Sequence, residues 1–251
     1  MSAIAAVLYR DARIRATNLT FVIWDLCYPM INLLVFGVGI DAALGVHFGA
    51  GGLDYNAFFL AGCLGLGSFA IPSNTAWSFF MDRDNGIFYE MLTYPMTRAQ
   101  YLFGRMLFTV SLALAQAALT LAAARFLLHV PILGSRAWLL VPMLVLGPSA
   151  WFYLYAALAL RIRRNDAFNA ITSILYFVLI FLSSMFYPTG PLPRWFARAA
   201  LANPITWQVD VLRYATIGLG DPRRVAIEAA GFTAFAVLAS LVAVRVLNRQ
   251  E

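Results

Sequence analysis

Six stretches of the chain stay apolar for about twenty residues or more: 21–40, 55–80, 102–128, 138–160, 167–187 and 225–246. A helix rises ~1.5 Å per residue and a bilayer's hydrocarbon core is ~30 Å thick, so each stretch is long enough to cross. No water is available there to satisfy backbone N–H and C=O groups, which selects helices for such runs. The pattern predicts an all-α polytopic membrane protein with six transmembrane helices, organised as one transmembrane domain over 1–251. Asp25 near the start of the first run and Glu228 near the outer end of the last are expected at an interface. About twenty residues precede the first run and no A-x-A cleavage site follows it, so it reads as a membrane helix and not as a signal peptide.

Three polar connections carry patterns of their own. In residues 1–20, Ile4, Val7, Leu8 and Ile14 alternate with Arg10, Arg13 and Arg15, the composition of an amphipathic helix lying on the cytoplasmic surface. The alternative is a solvated, frayed tail. In residues 81–101, Asp84, Asn85 and Gly86 form a helix start. Ile87, Met91 and Leu92 then share an apolar face with Glu90 off it, and Pro95 stops the turn. Thr97 and Gln100 form a capping box that launches the third run. This predicts a short amphipathic helix across the membrane surface, or an ordinary interfacial connector. In residues 188–224, Asn203 as N-cap and Pro204 at the first helical position start a helix that Gly218, Gly220 and Pro222 end. About 14 residues span roughly 21 Å, too short to cross. The segment therefore re-enters the membrane, lies at the outer interface, or is a structural cap.

Composition sharpens the picture. The chain is 62% hydrophobic and 12% charged, with a mean hydropathy of +0.76. Soluble domains carry about twice that share of charge, which excludes a cytosolic or secreted globular protein, a disordered chain and a free nucleic-acid binder. The net charge of +6 comes from 18 basic residues, all arginine. It reads as topology: eleven arginines fall in the N-terminal segment, the 2–3 and 4–5 connections and the tail, against seven on the other side, five of those in the long 5–6 connection. Both termini are then cytoplasmic.

Reaction chemistry is scarce. Without lysine there is no P-loop, and Cys27 and Cys63 are too sparse for a disulfide framework or a zinc site. His47 and His129 have no metal-ligand company. Ser68, after Gly67, lacks the strand–turn–helix setting of a nucleophile, and Gly62, Gly65 and Gly67 read as small residues for helix packing. No catalytic residue and no metal site is expected. One patterned feature remains: Asn169, Thr172, Ser173, Tyr176, Ser183 and Tyr187 recur at helical spacing along the fifth run. A polar stripe avoids lipid, so it faces a water-filled cavity or a structural seam.

The pattern Gly86-x-x-x-Glu90-x-Leu92-x-x-Pro95-x-x-Arg98, followed by Gly104-Arg105, resembles the first cytoplasmic loop of type 2 ABC-transporter permeases, the drug, lipid and polysaccharide exporter group. The Pro-rich stretch from Phe186 to Trp195 and the set Asn203, Pro204, Asp210 and Arg213 resemble that family's segments between its last two membrane helices. The chain looks like the stand-alone permease branch, without a fused ATPase or a large extracytoplasmic domain. The resemblance implies a single permease domain that pairs with a second copy of itself, or with a homologous permease, in the lipid bilayer. Two copies of a separate ABC ATPase would bind beneath. ATP and magnesium would belong to that ATPase, with no cofactor in this chain and no nucleic-acid partner. Gly86, Ile87, Glu90, Met91, Leu92, Pro95 and Arg98 would form the helix that couples to the ATPase. Asn74, Thr75 and Trp77 would line the translocation pathway with Asn169, Thr172, Ser173, Tyr176 and Ser183. Asn203, Pro204, Asp210 and Arg213 would mark an extracytoplasmic re-entrant element. The cargo would be amphipathic: lipid-like, a drug or a glycan. The place would be the inner membrane of a prokaryotic cell. The competing reading is a non-transporting membrane scaffold or assembly subunit.

Overall fold

The computed structural model describes residues 2–44, 52–91, 93–190 and 192–249, and among these every regular element is helical. The order is α1 (Ala3–Thr17), α2 (Leu19–Asn32), a wide π turn (Leu33–Gly37), α3 (Val38–Leu44), α4 (Tyr55–Asp84), α5 (Ile87–Met91), α6 (Arg98–Phe126), α7 (Ala137–Arg161), α8 (Asn165–Phe181), α9 (Arg194–Leu201), α10 (Pro204–Ile217) and α11 (Pro222–Asn248). His47 and Leu92 lie outside the described residues.

Five helical segments are long and apolar enough to cross a bilayer: Leu19–Ala43, Tyr55–Asp84, Arg98–Phe126, Gly134–Arg161 and Pro222–Asn248. The sixth expected crossing is shorter than the apolar run that encodes it. α8 stops at Phe181 after 17 residues, although the run continues to Tyr187. The reason is local hydrogen bonding. Ser183 Oγ donates to the Ile180 carbonyl (2.5 Å), and Asn203 Nδ2 donates to the carbonyls of Leu179 (2.6 Å) and Leu182 (2.8 Å). The free acceptors at the end of α8 are thus satisfied by side chains, without another helical turn.

α4 occupies the centre, against α2, α6, α7 and α10. Its glycines explain how neighbours come so close. A Cβ at Gly62 would lie 2.8 Å from Met185, one at Gly65 would lie 2.7 Å from Val209, and one at Gly67 would overlap the Gln116 amide. Small residues let helices approach where lipid supplies no hydrophobic push between them.

Most of α10, in the segment before the last helix, is enclosed by other helices. Ile205, Val209, Val211, Leu212, Ala215 and Ile217 are all buried. Arg213 meets Phe58 near the start of α4, whereas Gln208 lies against Gly147, itself in contact with Ser68. Ser68 is about 15 Å further along α4 than Phe58. α10 is therefore packed among α4, α7 and α11. Arg136 donates to the Tyr214 carbonyl (2.9 Å), capping the C-terminal end of α10.

Asp25 and Glu228 sit inside the helix packing. Both are buried, at 3% and 6% exposure, because each has an arginine: Arg15 at 2.6 Å for Asp25 and Arg224 at 2.7 Å for Glu228. Paired carboxylates tolerate burial that lone ones do not.

Candidate functional site

At the end of the bundle that carries α5, four charged residues lock three helices together. Arg105 on α6 is 2% exposed. Its Nε donates to Asp11 on α1 (3.0 Å), its Nη1 to Asp82 on α4 (2.8 Å) and to the Tyr101 hydroxyl (3.1 Å), and its Nη2 to Ser78 (3.0 Å). Arg10 donates to both oxygens of Asp82, at 3.0 Å each, and to Asp11 at 3.1 Å. Two guanidiniums and two carboxylates neutralise one another, and the guanidinium fork suits several acceptors at once. Burial works against the charge of Arg10, but its hydrogen bond to Asp82 and that carboxylate's charge hold its pKa above the ordinary arginine value. α1 is therefore a docked helix: Val7 is fully buried against Gly104, where a Cβ would fall 2.9 Å from it.

α5 hangs directly on this lattice. Gly86, at φ +78°, makes the turn out of α4, and its carbonyl accepts from Tyr89 and Glu90 to start the short helix. Phe88 is 1% exposed and sits edge-on to Phe79 (centroids 5.6 Å apart) and Tyr101 (5.4 Å). Tyr101 in turn donates to Asp82 at 3.1 Å. Ile87 and Met91 are half-buried, while Tyr89, Glu90, Tyr94 and Pro95 are exposed. Thr97 and Gln100 exchange both hydrogen bonds of the capping box. Arg98 is turned away from this face and donates to the Leu247 carbonyl at the end of α11 (3.3 Å).

The second part of the site is a cavity of about 250 Å³ between α2, α4 and α8, lined by Trp24, Asp25, Tyr28, Ser73, Asn74 and Tyr176 among others. Asn74 donates to Asp25 at 2.7 Å, and the hydroxyls of Tyr28 and Tyr176 lie 3.3 Å apart. Of the residues grouped by sequence, only Asn74 and Tyr176 meet here. Successive helix positions turn by 100°, so Thr75 leaves that face. Its hydroxyl donates to the Ile71 carbonyl, and it lines a separate cavity of about 30 Å³ beside Asp11 and Arg105. Trp77 is 39% exposed. On α8, Asn169 and Ser173 are exposed, whereas Thr172 is buried with its hydroxyl on the Phe168 carbonyl. Ser183 lies past the end of the helix. In a chain with Cys27 and Cys63 replaced, cysteines at Ser73 and Tyr176 should therefore react with polar thiol reagents and one at Thr172 should not. Equal labelling at all three positions would contradict this geometry.

Asn203 accepts from Ile205 N (2.9 Å) as N-cap while its amide holds the end of α8. Asp210 and Arg213 pair at 2.6 Å on α10. Phe88, Tyr101, Asp82, Asp11 and Tyr28 escaped the sequence reading, and Arg15 entered it only as a surface charge of the N-terminal helix. The signal available for Asp82 and Asp11 was a charge inside, or beside the end of, an apolar or amphipathic stretch.

A family model described as ABC-2 type transporter matches residues 2–217. Two relatives, provisionally named transport permease ycf38, align with most of the chain. The one from Porphyra purpurea is 23% identical over 187 residues, covering 74% of this chain and 64% of its own length. The one from Pyropia yezoensis is 21% identical over 216 residues, covering 82% and 74%. The chain thus spans under two thirds of the length of the first.

Proposed function

The chain belongs to the ABC-2 type transporter family, and on that premise we propose that it is the membrane-spanning subunit of an ATP-driven exporter of amphipathic cargo: lipid-like, a drug or a glycan. Two copies of the chain, or one with a homologous permease, enclose the pathway in the inner membrane of a prokaryotic cell, and two copies of a separate ATPase bind and hydrolyse ATP with magnesium. α5 and both termini face the cytoplasm. The α2–α4–α8 cavity contributes one half of the pathway, with Asn74 and Tyr176 on its wall.

The observation that carries this reading is the division of α5 into two faces. Tyr89 and Glu90 are free to enter a groove of the ATPase, and Phe88 is wedged between Phe79 and Tyr101. Force on the outer face reaches α4 and α6 through that ring, and α1 through Tyr101, Asp82 and Arg105.

The test is co-expression with the cognate ATPase and reconstitution in lipid. Phe88→Ala, Glu90→Ala and Ile87→Asp should each lower transport and cargo-stimulated ATP turnover while leaving membrane insertion intact. Loss of a charge pair at Glu90 inside the groove would cost about 2–5 kcal/mol, and much less at its rim. Wild-type transport by all three variants would overturn the assignment of α5.

A further inference from the structure

A second cavity of about 250 Å³ lies at the opposite end of the bundle from α5, bounded by the start of α4, the α8–α9 connection, α10 and the first turns of α11. Its wall is ionic. Arg213 spends all three nitrogens there: Nη1 on Asp210 (2.6 Å), Nη2 on the Ser184 carbonyl (2.7 Å) and Nε on the Phe58 carbonyl (3.3 Å). Asp210 accepts from the Ser184 hydroxyl (2.6 Å) and from Arg224 Nη2 (3.1 Å), and Arg224 Nε donates to Glu228 Oε1 (2.7 Å).

One acceptor is left over. Glu228 lines the cavity, is 6% exposed, and its Oε2 has no hydrogen-bond partner among the described residues. A buried charged oxygen without a donor is costly. The cavity also carries an excess of negative charge, with the carboxylates of Asp210, Asp221 and Glu228 against the guanidiniums of Arg213 and Arg224. What completes it is a cationic N–H donor. A bare metal ion fits poorly, since among the described residues no three metal-ligating side chains converge. Arg224, 43% exposed, stands beside Glu228 and can take an anion next to that cation.

We propose that this cavity binds a primary ammonium group joined to a neighbouring phosphate, the chemistry of phosphoethanolamine, with the ammonium on Glu228 and the phosphate on Arg224. Two sources share that chemistry: an aminophospholipid headgroup of the leaflet at that end, and a free phosphoethanolamine. The site is independent of the export reading, because it is defined by binding to the chain itself.

The experiment uses the purified full chain in maltoside micelles. Native mass spectrometry and thermal unfolding report binding of phosphatidylethanolamine, phosphatidylcholine and soluble O-phosphoethanolamine. Phosphatidylethanolamine should be retained over phosphatidylcholine, whose trimethylated nitrogen has no N–H to donate. Glu228→Gln should weaken binding about tenfold, the size of one charge-assisted hydrogen bond. Thr189→Trp, which fills the cavity from the α8–α9 connection and leaves the ion pairs in place, should abolish it. Stabilisation by the lipid alone assigns the lipid source, and stabilisation by O-phosphoethanolamine assigns the soluble one. Equal retention of the two lipids with no effect of O-phosphoethanolamine would overturn the proposal. So would binding by folded Glu228→Gln and Thr189→Trp chains at wild-type strength.

Discussion

Replacing Arg105 by methionine should destabilise the chain by about 3–5 kcal/mol, the usual cost of removing one partner from a buried ion pair. Asp11 and Asp82 would lose their common guanidinium, Tyr101 and Ser78 would lose a donor each, and Arg10 alone would face two carboxylates. The unfolding midpoint in detergent, followed by size-exclusion profile after heating, reads the effect. Arg105→Lys should recover only part of it, because an ammonium cannot present donors to four acceptors from three helices in one plane. Adding Asp11→Asn and Asp82→Asn to Arg105→Met should recover more, since the stranded charges go with the partner. An Arg105→Met chain with a wild-type midpoint would show that the lattice does not hold α1 to the bundle.

The same arginine shows where sequence reading stops. The apolar runs place the membrane helices because lipid leaves the backbone no choice but to bond within each run. The count of charges in and around the connections then orients them, and Arg105, just inside the third run, and Arg213 enter that count as loop charges. Both are buried, at 2% and 4% exposure: Arg105 is held by Asp11, 94 residues away in the chain, and Arg213 by the carbonyls of Ser184 and Phe58, 29 and 155 residues away, as well as by its neighbour Asp210. Hydropathy weighs each residue by its own chemistry and knows nothing of a partner that cancels its charge. Several other arginines finish helices: Arg83 donates to the carbonyls of Ala159 and Ile162 at the end of α7, and Arg98 to Leu247 at the end of α11. The end of α8 is the parallel case. Residues 182–187 belong to the same apolar run despite Ser183 and Ser184, and the stop is marked by two side chains, Ser183 on the Ile180 carbonyl and Asn203, 21 residues beyond Leu182.

In α5 the difficulty is length. Five residues are less than two turns, so periodicity cannot choose between a buried face at Ile87 and Met91 and one centred on Phe88. The choice is made by the aromatic rings of Phe79 and Tyr101 waiting on α4 and α6. By contrast, both caps were legible, Thr97 with Gln100 and Asn203 with Pro204, because each is completed within a few residues of itself.

Gly67→Ala should be the most damaging single methyl in the centre of the membrane region. Gln116 is fully buried on α6. Its Nε2 donates to Thr120 (2.7 Å), and its Oε1, without a partner among the described residues, lies where the new Cβ would stand. The amide cannot swing away without losing Thr120, and α4 cannot retreat without opening its contacts through Gly62 and Gly65 to Met185 and Val209. Overpacking of this kind costs about 1–3 kcal/mol, and the lost hydrogen bond adds about 1 kcal/mol. Gln116→Ala, which removes the obstructing amide, should be close to neutral alone and should restore most of the stability when combined with Gly67→Ala. That is a coupling on the order of 0.5–3 kcal/mol between residues in contact. Gly39→Ala is the control, since a Cβ there meets nothing within 4 Å. Unfolding midpoints of the four variants decide the matter. If Gly67→Ala matches Gly39→Ala, or if Gln116→Ala fails to rescue it, the close approach of α4 and α6 at this point is not what sets their separation.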